Sequence, residues 1–162
     1  MKKVGVVVLV TITLIQSLLY AAEAPSPVLT IRLLSADIVH KIVSSAVAEC
    51  ARRGYRVSAA VVDRNGNLSA FLRHPLAGPH TVKVSQRKAF TSATLQTSTS
   101  NMSHRPDLSF APDILLIVGG VPIKFSGHFY GGAAVAGAPP DVDEQCALSG
   151  IAAISDIMNF VE

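Results

Sequence analysis

Five histidines hold most of the chain's options for metal and acid–base chemistry: His40, His74, His80, His104 and His128. None stands at i, i+4 from another His or Cys, so no helical pair of metal ligands is present. His80 is the first candidate. It sits just before a helical pattern, at the end of a Pro/Gly loop that closes against a strand, where an imidazole can bind iron or move protons. His40 lies off the apolar stripe of the first helix and faces solvent or a neighbouring subunit. His74 opens the loop that His80 closes, His104 lies in a long polar loop and His128 in a hairpin turn. Arg87 and Lys88 follow His80 on its helix; they read as solvated helix charges or as holders of an anionic group such as a carboxylate. Ser85 and Ser92 have no acid and oriented base to activate them, so no nucleophile is assigned. Asp141-Val142-Asp143-Glu144 reads as a helix start, with Asp141 as N-cap and Glu144 completing a capping box. G-x-S-x-G, Walker A, G-x-G-x-x-G and H-E-x-x-H patterns are absent.

The elements that must position these groups follow from periodicity. Ile38, Val39, Ile42, Val43, Ala46, Val47 and Cys50 recur at helical spacing over Ser35 to Arg53, with Ser35 as N-cap and Gly54 as stop. Val57 to Val62 and Leu68 to Arg73 read as strands joined by the Asn65-Gly66 turn. Thr81 to Leu95 is a second helix, with Val82, Ala89, Phe90 and Ala93 inward. Gln96 to Pro112 is a long polar loop. Ile114 to Val118 reads as a buried strand, and Val121 to Phe125 with Phe129 to Val135 as a second hairpin. Gly119-Gly120 and Gly131-Gly132 suit turns and close backbone approach. A last helix is expected from Asp141 to Val161. The order α-β-β-α-β-β-β-α, with its two hairpins, predicts an α+β domain: about five antiparallel strands with helices packed on them.

Composition bounds the class of protein. Of 162 residues 49% are hydrophobic and 15% charged, against a usual quarter charged; the mean hydropathy is +0.42. Lys2 and Lys3, an apolar run from Val4 to Leu19 and then Ala21 and Ala22 read as a secretory signal peptide over residues 1–22. The run is shorter than the roughly 20 residues of a membrane span. Residues 23–34 are then a linker and 35–162 the domain. Removing Lys2 and Lys3 lowers the formal net charge from +3 to +1, so the pI of 9.1 makes no case for nucleic acid. The expectation is an exported, periplasmic or extracellular protein without a stable membrane anchor. Its shortage of charge points to surface buried between subunits. In an oxidising compartment Cys50 and Cys146 form one disulfide or remain two buried thiols; a bridge would stabilise by roughly 4 kcal/mol.

Taken in order, several blocks are familiar: Ala59-Ala60-Val61-Val62-Asp63-Arg64-Asn65-Gly66-Asn67, Arg73, Ala77-Gly78-Pro79-His80-Thr81 and Arg87-Lys88-Ala89-Phe90-Thr91. Arg105-Pro106-Asp107-Leu108, Val118-Gly119-Gly120-Val121-Pro122-Ile123, Gly131-Gly132-Ala133-Ala134-Val135-Ala136-Gly137-Ala138 and Asp143-Glu144-Gln145-Cys146-Ala147 follow. From about Leu29 to Met158 the chain resembles the GlcG/HbpS family of haem-binding proteins, similar to the C-terminal domain of PduO corrinoid adenosyltransferases. The resemblance implies a profilin-like α+β fold, homo-oligomers (often octamers) and a haem cofactor. Family members use different haem ligands. Here Gly78-Pro79-His80-Thr81 matches one branch, which makes His80 the first choice for the iron, His40 the second, and Thr81, Arg87 and Lys88 further cofactor contacts, the cations toward haem propionates. Two departures stand out: His74-Pro75 where relatives often carry Met-Asp, and Ala134-Val135-Ala136-Gly137 in place of Gly-Val-Ser-Gly. The resemblance favours non-catalytic haem sequestration or sensing with a partner. The rivals are an enzyme for a small catabolic intermediate, using His80, Arg87 and Lys88 in an inter-subunit pocket, and a ligand-free interaction module.

Overall fold

In the computed structural model, which describes residues 26–160, the first helix, α1, spans Ala36–Arg52. Ser35 enters it with extended backbone angles, and Asp37 sits in its first turn, where a carboxylate meets the positive helix end. Val39, Ile42, Val43, Ala46, Val47 and Cys50 form its buried stripe. Gly54, at φ +88°, ends it in a left-handed turn.

Strands β1 (Ser58–Asp63) and β2 (Leu68–Arg73) form the first hairpin. Its turn is organised by the Asp63 carboxylate, which accepts the N–H groups of Asn65 (2.8 Å) and Asn67 (2.9 Å) and the side-chain amide of Asn67 (3.0 Å). Helix α2 spans His80–Leu95. Two short 3₁₀ turns, Thr99–Met102 and Pro106–Phe110, organise the polar loop after it. Strands β3 (Gly120–Phe125) and β4 (His128–Ala136) make the second hairpin, with Ser126 and Gly127 both at positive φ, the twist-matched turn of a tight hairpin. Helix α3 (Pro140–Ala152) and the single turn α4 (Ser155–Met158) complete the chain. The sheet order is β2-β1-β4-β3, antiparallel throughout.

Alternate residues of each strand face opposite sides, and both sides are covered. Ala59, Val61, Val121, Ile123, Ala133 and Val135 pack under α1 and α3 in the larger core. Ala60, Val62 and Ala134 pack under Ala89 and Ala93 of α2 in a smaller one. The larger core carries the bulk of the apolar burial, at about 1.5–3 kcal/mol for each fully buried Val or Ile. It is cross-linked: the sulfurs of Cys50 on α1 and Cys146 on α3 form a disulfide, with Cα atoms 5.7 Å apart.

Four expectations need correction. The sheet has four strands, because Ile114 to Val118 does not pair. Asp113 is left-handed at φ +62°, and the chain beyond it bonds to α2 side chains instead: Arg87 donates to the Ile114 carbonyl (2.9 Å) and the Leu115 N–H to Thr91 Oγ1 (2.8 Å). The last helix does not run unbroken to Val161. It stops at Ala152 and restarts at Ser155, and Ile154 at the break is fully buried with Met158 in the larger core. Asp141 and Glu144 form no capping box: Pro139 is the N-cap and makes no side-chain bond, while Glu144 accepts from Ser100 (2.7 Å). Lys88 is not a solvated helix charge; it is 1% exposed.

Ser26–Ile31 belongs to an N-terminal unit separate from the domain that begins at Arg32; in it, Ser26 Oγ donates to the Val28 carbonyl (2.9 Å). The expected signal peptide lies outside the described residues. Among the described residues no helix is long and apolar enough to cross a membrane.

Candidate functional site

Helix α2 starts where Gly78-Pro79 turns the chain. The Thr81 hydroxyl donates back to the Gly78 carbonyl (2.7 Å) and meets Ser58 Oγ at 2.7 Å. Since Thr81 has one proton, already given to Gly78, Ser58 is the donor in the second bond. The inward face of α2 is unusually polar, with Thr81, Ser85, Lys88, Thr91 and Ser92 buried beside Ala89 and Ala93. The hydroxyls are satisfied close by: Ser85 donates to Val82 O, Thr91 to Arg87 O and Ser92 to Ala89 O. Small residues let this face lie directly on the sheet. A Cβ on Gly132 would come 2.4 Å from the Ala89 carbonyl, and one on Gly120 2.4 Å from the Lys88 carbonyl.

Lys88 leaves that face at the end of the sheet and passes Gly119 to reach Asp143 of α3, which packs on the other face. Its ammonium lies 2.8 Å from Asp143 Oδ2 and 3.1 Å from the Val135 carbonyl. Asp143 Oδ1 accepts the Ala138 N–H at 3.0 Å. Both side chains are 2% exposed. Burial pushes the Asp143 carboxyl above its ordinary value, against the opposing hydrogen bond and charge of Lys88 and the N–H groups of Ala138 and Gly137. Gly119 is required for the crossing: its φ is +125°, and a Cβ there would sit 2.8 Å from Lys88 Nζ.

A cleft of about 300 Å³ opens over this pair. His80, Val84 and Lys88 line it along one stripe of α2, Ile117 forms another wall, and Ala136 to Ala138, Pro140 and Asp143 close it from β4 and α3. The exposed His80 imidazole lies over Gly78, where a Cβ would stand 2.7 Å from its Cε1. A buried ion pair at one end, aliphatic walls and an exposed imidazole make a site for a small molecule with an apolar body and polar ends. Among the described residues no three His, Cys, Asp or Glu side chains gather to hold an ion.

Of the residues proposed from sequence, the structure brings His80 and Lys88 together. Thr81 is buried beneath them with its hydroxyl engaged. Arg87, one residue from Lys88, lines a separate cleft with Phe90, Gln86 and Asp113 and holds the Asp113 and Ile114 carbonyls. His40 lies on α1, on the opposite face of the sheet, beside a groove of about 380 Å³ formed with Phe71 and Leu72. The residue that sequence reasoning missed is Asp143. Its signal was present: Asp143, Cys146, Ala147 and Gly150 recur at i, i+3, i+4, i+7 and are the buried positions of α3, so the acid lies on the inward stripe.

Among the described residues, a four-stranded antiparallel sheet with one helix on one face and two on the other, and a cleft beside His80 at the sheet's end, define an α+β domain. The chain belongs to the HbpS-like family: the family model described as "Haem degrading protein HbpS-like" matches residues 34–152. A double mutant of Streptomyces reticuli HbpS is 36% identical over 82% of this chain and 94% of its own, with a TM-score of 0.74. Two more distant structures share the fold. The PduOC:heme complex is 23% identical (76% of this chain, 96% of that one, TM-score 0.71). Klebsiella pneumoniae protein ORFY is 19% identical (86% and 100%, TM-score 0.75). No curated protein matches the chain.

Proposed function

We propose that this is an exported haem-binding protein that works as a homo-oligomer, taking haem iron on His80 and sequestering haem or reporting it to a partner. The observation that carries the reading is the His80 imidazole at an aliphatic-walled cleft, in a chain of the HbpS-like family. PduOC, of the same fold, is described in complex with haem. The residues fit the group. A lone imidazole cannot cage a free ion, but haem brings four nitrogens of its own and needs only an axial ligand. The aliphatic walls of Val84, Ile117 and Ala138 suit a porphyrin face. At about 300 Å³ the cleft stands at the lower end of ligand-pocket volumes, so one chain would cover only part of a porphyrin. Ile117, 46% exposed at the cleft, would meet the rest or a second subunit. The family's description as haem-degrading supports a second reading, in which bound haem is consumed.

Hemin titration of the purified chain tests both readings. The expected result is a Soret shift that His80→Ala removes and His40→Ala leaves intact. A shift unchanged in His80→Ala refutes iron at His80. Decay of the Soret band over time would mark consumption.

A further inference from the structure

The Lys88 ammonium has three N–H donors. One goes to Asp143 Oδ2 and one to the Val135 carbonyl; the third meets no acceptor among the described residues. Its carrier is 1% exposed and lines the cleft. An unused donor on a buried cation leaves favourable hydrogen-bond energy unclaimed, so the site is built for an oxygen atom.

The neighbouring charge decides which oxygen. Asp143 already neutralises Lys88, and the Asp143 carboxylate is itself held by Lys88 and the Ala138 N–H. A ligand carboxylate would place a second negative charge beside one ammonium, in a cleft otherwise walled by Val84, Ile117 and Ala138. Desolvation and repulsion both oppose that. A carbonyl oxygen adds no net charge and uses the free donor.

We infer that the Lys88–Asp143 pair forms the carbonyl-recognition end of this same cleft, which, when haem is not bound, takes a small, largely apolar molecule ending in a neutral C=O. This goes beyond iron at His80 and does not depend on it. Lys88 acts here as a binding residue, with no covalent step.

The test is a titration of the full chain, labelled with ¹³C at lysine Cε, with cyclohexanone and separately with cyclohexanecarboxylate. The two probes share a ring and differ in the charge of the head. The Lys88 resonance is identified by its loss in a Lys88→Met/Asp143→Asn double variant, which removes both charges while keeping an acceptor for the Ala138 N–H. Cyclohexanone is expected to move the Lys88 signal saturably in the millimolar range. Cyclohexanecarboxylate should bind about tenfold more weakly or not at all, and the folded double variant, which has no Lys88 signal and is compared with the wild type by isothermal titration calorimetry, should lose cyclohexanone affinity by about tenfold. An unmoved Lys88 signal, a carboxylate that binds as tightly as the ketone, or unchanged affinity in the double variant overturns the inference. If the double variant does not fold, the signal is assigned by Lys88→Arg and the comparison of the two probes on the wild-type chain decides. Failure here leaves the hemin result at His80 untouched.

Discussion

Removing the positive partner of the buried pair should have a large and pH-dependent effect. In Lys88→Met the Asp143 carboxylate stays 2% exposed with backbone N–H groups as its remaining donors. Breaking a buried pair by deleting one partner costs about 3–5 kcal/mol, a large part of the 5–15 kcal/mol that usually holds a domain together. At about 4 °C per kcal/mol, the melting temperature should fall by roughly 12–20 °C at neutral pH. The sign of the pH effect follows from Asp143. Its carboxyl is already raised in the folded chain, chiefly by burial, and Lys88 is the charge that restrains the rise. Without Lys88 it rises further. The folded variant then holds a proton that the unfolded chain has released, so its stability is greatest below the ordinary carboxyl value and declines as pH rises through the raised one. The gap to the wild type should therefore narrow toward pH 4. The Lys88→Met/Asp143→Asn double variant should recover most of the loss, with little of this pH dependence. Urea unfolding followed by circular dichroism, at acidic and neutral pH without reductant, measures each quantity. A single variant within about 1 kcal/mol of wild type, or a double variant as unstable as the single, refutes the account.

Three further outcomes follow from other parts of the structure. Replacing Cys50 and Cys146 by Ala should cost about 4–5 kcal/mol, because the bridge closes a separation of 96 residues; thermal melts with and without reductant check it. Gly132→Ala places a Cβ against the Ala89 carbonyl and Ser92 Oγ and should destabilise by about 1–3 kcal/mol through overpacking, read from the urea midpoint. The Asp63 carboxyl is held below its ordinary value: burial opposes the shift, and hydrogen bonds from the Asn67 side chain and the N–H groups of Asn67, Asn65 and Gly66 outweigh it. Its contribution is present above the ordinary carboxyl value and lost as pH falls through the lowered one, so Asp63→Asn should flatten the acid limb of the stability profile.

Helices and hairpins with strong local signals were legible from the residues. The apolar stripe of α1, the Asn65-Gly66 turn and the Ser126-Gly127 turn carry their own conformational preferences, and the elements formed where those preferences lie. The Ile114 to Val118 segment was not legible, because an apolar run cannot show whether its backbone will find a strand or, as here, the Thr91 and Arg87 side chains. The site was half legible. His80 stood out by its place before a helix. Lys88 and Asp143 did not, since each looks like an ordinary helix charge until the other is known; they lie 55 residues apart, and only the topology brings them together. The glycines carried the clue, since Gly119 and Gly120 leave the space that a buried lysine needs.

The disulfide has a consequence for where the molecule loosens first. It ties α1 to α3, so the face of the sheet with the larger core is sewn together covalently. Helix α2 has no such tie. It rests on alanine, glycine and short hydroxyl side chains, with a small apolar contact, and its polar bond to α3 is the Lys88–Asp143 pair. Elements with few buried apolar contacts open at the lowest free energy. Amide exchange in α2 should therefore run ahead of that in α1 and α3. Because α2 also carries His80, Val84 and Lys88, opening of this helix would widen the cleft, and a ligand seated there should slow exchange along the helix that holds it.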